Sequence, residues 1–370
     1  GLGDVYKRQM YPISGILVDR FGPKKVMFLG ILAWSAACIG GGLSTNMEQF
    51  AFFRGLLGLA EPTIFAGQIV AVTVWFEKRQ RATANSLCTA GGSIGTVVAP
   101  IVIAWLSTIF PWNDVFVLAG AIGILIAIVW MAVYADPPKE ILDVTLSESA
   151  ANRHHGKAFT WGGLWKTRTL WGVLLIRFVS DPVWYFCLFW LPGYLQEDSG
   201  LTLIQVGWVG WIPFLFGAVG GVLTSAWSDK MVRKGMDPLR ARKRMMTLVA
   251  VAAPLCIFTP YFNALPPYWN VAAIIASFSL IAIMCLSWLY TICVVIAEAF
   301  PVRNVASVVG ITAGFGAVGG AIFNYYVGQL LSTMGPSLFL VMGVLHWIAV
   351  VILWKMTRPE IPQEKQAVQK

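Results

Sequence analysis

Ten apolar runs of nineteen residues or more decide what this chain can fold into. They lie at 26–44, 49–74, 84–107, 115–134 and 169–195, then at 205–227, 245–263, 271–297, 305–330 and 337–356. A helix of about 20 apolar residues crosses a bilayer's hydrocarbon core. Residues 10–18 read as the last half of a further helix. None of the runs alternates polar with apolar residues, which excludes a membrane β-barrel. In lipid each backbone polar group must then pair within its own segment, so the runs are helices. Composition agrees: 57% of the 370 residues are hydrophobic and 12% charged, about half the charged share of a soluble domain. A soluble enzyme is excluded.

The net charge of +9 raises nucleic acid as a partner, but its distribution removes that reading. Basic residues gather in alternate connections: Lys24 and Lys25; Lys78, Arg79 and Arg81; Arg153, Lys157, Lys166 and Arg168; and a run from Lys230 to Arg244. The loops between, at 45–48, 108–114, 196–204, 264–270 and 331–336, hold no Lys or Arg. Basic loops stay on the cytoplasmic side. The expectation is a multi-pass protein of a bacterial inner membrane, monomeric, with its C-terminus in the cytoplasm. All six cysteines fall inside spans without metal-ligand or redox spacing. They read as packing residues, and no cofactor, metal or disulfide framework is called for.

The opening nine residues, GLGDVYKRQ, are polar yet abut the half-span MYPISGILV. They look like translated adapter sequence, so residues 1–9 are expected to be non-native, replacing apolar residues that complete the helix. The rest divides into a helical bundle at 10–134, a cytoplasmic linker at 135–167, a second bundle at 168–356 and a tail at 357–370. The two bundles repeat. FEKRQRATANSLCTAGGSIG at 76–95 aligns without gaps on FPVRNVASVVGITAGFGAVG at 300–319, matching Phe76 to Phe300, Arg79 to Arg303, Ala82 to Ala306, Gly92 to Gly316 and Gly95 to Gly319.

One motif makes the repeat specific. GILVDRFGPKK at 15–25 carries Gly15, Asp19, Arg20, Gly22, Lys24 and Lys25, and SAWSDKMVRK places Asp229 and Lys230 at the equivalent point of the second bundle. The first resembles the loop between helices two and three of the major facilitator superfamily. The resemblance implies an all-α membrane protein of two six-helix bundles, here without helix one and part of helix two. It also implies that this loop latches the halves at the cytoplasmic side, with substrate bound between them near the midplane.

Charges inside lipid cost at least about 2.5–3.5 kcal/mol each and are functional candidates. Arg54 and Glu61 lie seven residues apart in one span, on one helix face and about 10 Å apart along the axis. Arg177 and Asp181 share a face at a spacing of four. Both acids precede a proline, Pro62 or Pro182, which removes a backbone donor and permits a kink. The alternative for Arg177–Asp181 is a structural ion pair. Arg54 and Glu61 are too far apart for a tight local one, which favours a functional reading.

FRGLLGLAEPTIFAG and LWKTRTLWGVLLIRFVSDPVWYFCLFWLPGYLQ resemble helices four and seven of the anion:cation symporter family, bacterial hexuronate transporters in particular. That resemblance assigns Arg54 and Glu61 to sugar-acid binding and proton coupling. Arg177 joins the binding set, and Asp181 the coupling set. With helices one, four, seven and ten lining the cavity, Trp184, Tyr185, Trp288, Tyr290 and Thr291 become candidate sugar contacts, as do Asn324 and Tyr325 in helix eleven. The chain departs from the family at Pro62, usually Ala, and at Ile69, often Lys. The family's helix one carries a Tyr and an Arg toward substrate, and that helix is absent.

Gly314, Gly316 and Gly319 spell G-x-G-x-x-G without the preceding strand that dinucleotide binding needs, and read as helix-packing glycines. Gly217, Gly220 and Gly221 read the same way. His154 and His155 lie in the polar linker, and His346 reads as hydrogen-bonded packing. The expected function is proton-driven uptake of a small sugar acid. The alternatives are an exchanger of organic anions or organophosphates, and a transporter-like sugar-acid sensor.

Overall fold

A computed structural model describes residues 2–135, 159–197, 200–266, 268–334 and 337–360. Most of the linker, with His154 and His155, lies outside the described residues. The first bundle contains α1 (Leu2–Phe21), α2 (Pro23–Gly42), α3 (Met47–Ala60), α4 (Pro62–Trp75), α5 (Arg81–Leu106) and α6 (Trp112–Val133). A short α7 (Trp161–Leu164) leads to α8 (Arg168–Glu197), α9 (Leu203–Val209), α10 (Ile212–Arg233) and α11 (Pro238–Ala250). A 3-10 helix (Ala253–Ala264), α12 (Trp269–Ala299), α13 (Val302–Met334) and α14 (Ser337–Met356) complete the second bundle. Among the described residues, nine helical stretches are long and apolar enough to cross a membrane. The exposed face of α6, with Leu118, Ile122, Leu125 and Val129, is the apolar surface a lipid neighbour requires.

Prolines account for most departures from the expected spans. The run at 245–263 is α-helical only to Ala250, because Pro254 and Pro260 lack the N–H that an α-helix needs and the chain tightens into the 3-10 form. The run beginning at 205 is split at Gly210 and Trp211, with Pro213 starting the longer helix. α1 runs from Leu2, so the polar opening residues continue the helix rather than lying outside it. The α-helical run is interrupted at Glu61, between α3 and α4. It is not interrupted at Asp181: α8 continues through Pro182 for 30 residues.

That difference comes from packing. Gly316, Gly319 and Gly320 let α13 press along α8, and a Cβ at Gly319 would stand 2.4 Å from the carbonyl oxygen of Phe178. This carbonyl is the one that Pro182 releases from the helix ladder, and the close backbone covers it. Small residues make the same close approach at α2 and α6, where a Cβ on Gly120 would meet the Ser35 carbonyl at 2.6 Å.

The halves meet most extensively through two helix pairs, α1 with α13 and α5 with α10. A Cβ on Gly15 would lie 2.2 Å from the Ala306 carbonyl, and one on Gly310 would lie 2.2 Å from the Tyr11 carbonyl. Backbone, not side chain, therefore forms the α1–α13 seam. Gly15→Val is expected to force the seam apart at a cost of about 1–3 kcal/mol, read as a lowered melting temperature in detergent. Gly91→Ala is the control, since a Cβ there meets nothing within 4 Å.

Candidate functional site

The ends of both cross-half pairs that lie toward the basic loops carry the same interaction. Asp19, at the end of α1, accepts the backbone N–H groups of Ala306 (3.1 Å) and Ser307 (2.7 Å) in α13. Asp229, near the end of α10, accepts those of Ala82 (3.4 Å) and Thr83 (2.8 Å) in α5, and the Thr83 hydroxyl at 2.6 Å. Ala82 and Thr83 are the repeat partners of Ala306 and Ser307. Each half thus places one carboxylate on the same two amides of the other half. Gly22 turns the chain from α1 to α2 with φ of 81°, a conformation that favours glycine. Arg20 lies over the Phe21 ring at 5.3 Å, and the Lys24 carbonyl accepts the Trp130 indole N–H at 3.1 Å.

The second latch carries more charge than the first. Arg242, fully buried, pairs with Asp229 at 2.7 Å and donates to Ser228 Oγ and to the Lys78 carbonyl of the other half. Arg81 pairs with Glu298 across the halves at 3.3 Å and donates to the Thr73 carbonyl. Arg81 and Arg242 look like loop charges in sequence, and Glu298 lies one residue past an apolar run. Only the fold brings them together.

Deeper in the protein, Arg177 and Asp181 form their i,i+4 ion pair at 2.8 Å, each with 8% exposure. Gly316 makes room for it: a Cβ there would fall 1.9 Å from Asp181 Oδ2 and 3.0 Å from Arg177 Nε. One turn further along α8, Tyr185 lies against Gly320, whose carbonyl accepts the Asn324 amide at 2.9 Å. Tyr11, from α1 of the other half, lies in the field of Glu61, Arg177 and Asp181 together. Its ring meets Phe65, one turn along from Glu61, edge to face. Tyr11 was not among the expected residues, because its half-span offers no charge or motif at that position.

A polar network links the halves beside this cluster. Gln68 donates to Thr89 Oγ1 (2.7 Å) and Asn85 Oδ1 (3.2 Å), and Asn85 donates to the Tyr290 carbonyl at 2.8 Å. Gln68 follows Glu61 by seven residues, on the same face of its span.

Other expected residues are dispersed. Arg54 is exposed, with its guanidinium over the Phe50 and Phe116 rings at 5.3 and 5.0 Å, and no carboxylate pairs with it among the described residues. Trp184 meets Phe214 edge to face. Trp288 turns away from the other half: its indole N–H donates to the Met246 carbonyl at 3.0 Å and its ring meets His346. Tyr290, two residues on, points to the other side, and its ring fills the gap left by Gly221. About 200° separates the two positions on a helix, so they do not share a cavity face, and both are buried packing. Thr291 is buried with no hydrogen-bond partner for its hydroxyl among the described residues. Tyr325 points outward at 79% exposure. His346 is buried, but its ring nitrogens find no hydrogen-bond partner among the described residues.

The buried pair makes a direct prediction. Asp181→Asn leaves Arg177 buried and unpaired, an expected loss of about 3–5 kcal/mol. The double change Arg177→Met with Asp181→Leu should restore most of it. Melting temperatures of the single and double variants check both.

The sequence profile of the Major Facilitator Superfamily matches residues 10–295. The chain is 32% identical over 238 residues to a "Probable L-galactonate transporter" of Escherichia coli K12, a match covering 62% of this chain and 52% of that protein. It thus spans about half the length of that relative. It is 26% identical over 359 residues to the "Hexuronate transporter" of the same organism, covering 93% of this chain and 81% of the relative. Among solved structures, the proton:xylose symporter XylE superposes with a TM-score of 0.74 at 12% identity, over 96% of this chain and 84% of that one. At that identity the likeness is one of fold.

Proposed function

Since this chain belongs to the Major Facilitator Superfamily, we propose that it is a transporter, not an enzyme, and that it carries a small sugar acid together with a proton. The observation that carries the reading is a charge arrangement across the halves. The Tyr11 ring of one half meets Phe65, one turn from Glu61, the buried Arg177–Asp181 pair lies in the other half, and Arg54 presents an exposed guanidinium over the Phe50 and Phe116 rings. Galactonate and hexuronate in the names of the two relatives support the substrate class.

In this reading Arg54 offers a planar, permanently charged fork to the substrate carboxylate. Glu61 takes the proton. A protonated Glu61 puts one less negative charge near the arriving anion, so proton and anion load together. Arg177 is held by Asp181 through Nη2 while its buried Nε has no partner among the described residues, and the pair serves as a fixed dipole that orients substrate hydroxyls, with Tyr185 and Asn324 as their partners. Rocking of the halves, with release of the two carboxylate latches, exposes the loaded site to the cytoplasm.

The test is uptake of glucuronate and galactonate into proteoliposomes under an inward proton gradient. Uptake of either acid is expected, with Arg54→Ala lowering it about 10- to 100-fold, the loss of one charge-assisted contact of about 1.5–3 kcal/mol. Glu61→Gln should keep exchange of substrate across the membrane and lose accumulation driven by pH. Uptake that needs an internal counter-anion and ignores the proton gradient would make the protein an exchanger. Binding without any flux would make it a sensor.

A further inference from the structure

The latches described above leave one buried carboxylate unexplained. Beyond α14 the segment Thr357–Glu360 folds back under the second bundle, and Glu360 is only 8% exposed. Its Oε1 accepts the backbone N–H of Thr169 at 3.1 Å and the Thr169 hydroxyl at 2.6 Å, in the first turn of α8. Its own backbone N–H donates to the carbonyl of Ala299, the last residue of α12, at 2.7 Å.

The chemistry of helix ends makes this arrangement specific. The first N–H groups and the last carbonyls of a helix have no partner inside it, and a carboxylate is favoured at the N-terminus. Glu360 satisfies one group of each kind on two different helices. The segment is itself held: Arg358 donates its N–H to Thr169 Oγ1 at 3.0 Å, and Lys243 of α11 donates to the Thr357 carbonyl. Gly172 of α8 lets it lie close, since a Cβ there would meet Met356 Cβ at 2.8 Å.

The two helices it joins are those that matter for access. α8 carries Arg177 and Asp181, and α12 carries Tyr290, whose carbonyl takes the cross-half bond from Asn85. Ala299 directly follows Glu298, the partner of Arg81 in the other half. A polar cavity of about 80 Å³ brings Pro359 alongside Thr73, Lys78, Arg81 and Glu298, so the segment borders the crevice between the halves.

We propose that Glu360 is a positioning residue for the cytoplasmic gate: it clamps the ends of α8 and α12 together and so holds Glu298 where Arg81 can close on it. The clamp belongs to the second bundle and moves with it. Without it the last turn of α12 frays, the Glu298–Arg81 pair weakens, and the cytoplasm-open population rises.

The experiment measures that population by double electron–electron resonance. Spin labels are placed at Arg79→Cys and Arg240→Cys, two exposed positions on opposite sides of the crevice. The background is the full chain in proteoliposomes with Cys38 and Cys88 replaced by Ser, the other four cysteines being buried. Glu360→Gln is expected to raise the long-distance population about fivefold, a shift of about 1 kcal/mol. Thr169→Val, which removes both the hydroxyl donor to Glu360 and the acceptor of the Arg358 N–H, should move it the same way. Arg81→Gln opens the gate directly, so adding Glu360→Gln to it should produce no further shift. A distance distribution unchanged in both Glu360→Gln and Thr169→Val overturns the proposal. So does a Glu360 effect that adds in full to that of Arg81→Gln, because a merely structural role would be independent of the pair. No substrate is needed, so failure here leaves the sugar-acid reading untouched, and failure to find a transported acid leaves the clamp untouched.

Discussion

A carboxylate on backbone N–H groups of the opposite half is the interaction on which the rest of this architecture depends. Hydrogen bonds to a charged group contribute about 1.5–3 kcal/mol each, several times the value of an exposed ion pair. Asp19 and Asp229 each make at least two. That is strong enough to keep this end of the seam closed and weak enough to release, since all of the acceptors and donors regain water when the halves part. A seam of interlocking large side chains would close as tightly but reopen slowly. Glycine at Gly15 and Gly310 is the matching requirement, because an amide reached by a carboxylate lets no side chain intervene.

The two latches differ in how their charge is balanced. Asp229 is wholly buried and has Arg242 beside it, itself tied to the other half through the Lys78 carbonyl. Asp19 is half-buried at the edge of α1 and draws on two amides and the Ser307 side chain. Removing a charge from water demands a partner in proportion to its burial, and the asymmetry follows that rule. The α5–α10 side is therefore the more electrostatic seam and the α1–α13 side the more backbone-to-backbone one. Parting the halves breaks a charge network on one side and a close helix contact on the other.

Much of this was legible in the sequence, and the limits have physical causes. Hydropathy located the spans because lipid imposes the same demand on every one of them. The prolines at 254 and 260 were visible, but not that they would tighten the chain to a 3-10 form rather than bend an α-helix. The repeat already held the latch, since Ala82–Thr83 and Ala306–Ser307 align, yet nothing in one dimension says which carboxylate reaches them. Trp288 and Tyr290 read alike as aromatic residues in a cavity helix, and only helix rotation separates them. Tyr11 and Glu360 were missed for one reason: each acts through contacts more than forty residues away in sequence, and neither lies in a recognisable motif.

The two acid-proline pairs show how context decides what a local signal does. Glu61-Pro62 and Asp181-Pro182 release a carbonyl four residues before the proline, at Gly58 and Phe178. In α8 the Phe178 carbonyl lies against the Gly319 backbone, the neighbouring acid is neutralised by Arg177, and the helix stays whole. At Glu61 the carboxylate has no arginine one turn earlier, and one residue separates α3 from α4. The second bundle is thus braced along α8, which is seated on α13 and joined to α12 through Glu360. In the first bundle the break at Glu61 spans one residue and leaves the backbone helical, with φ of −58° and ψ of −39°, so there the proline removes a hydrogen bond while the chain keeps its helical course.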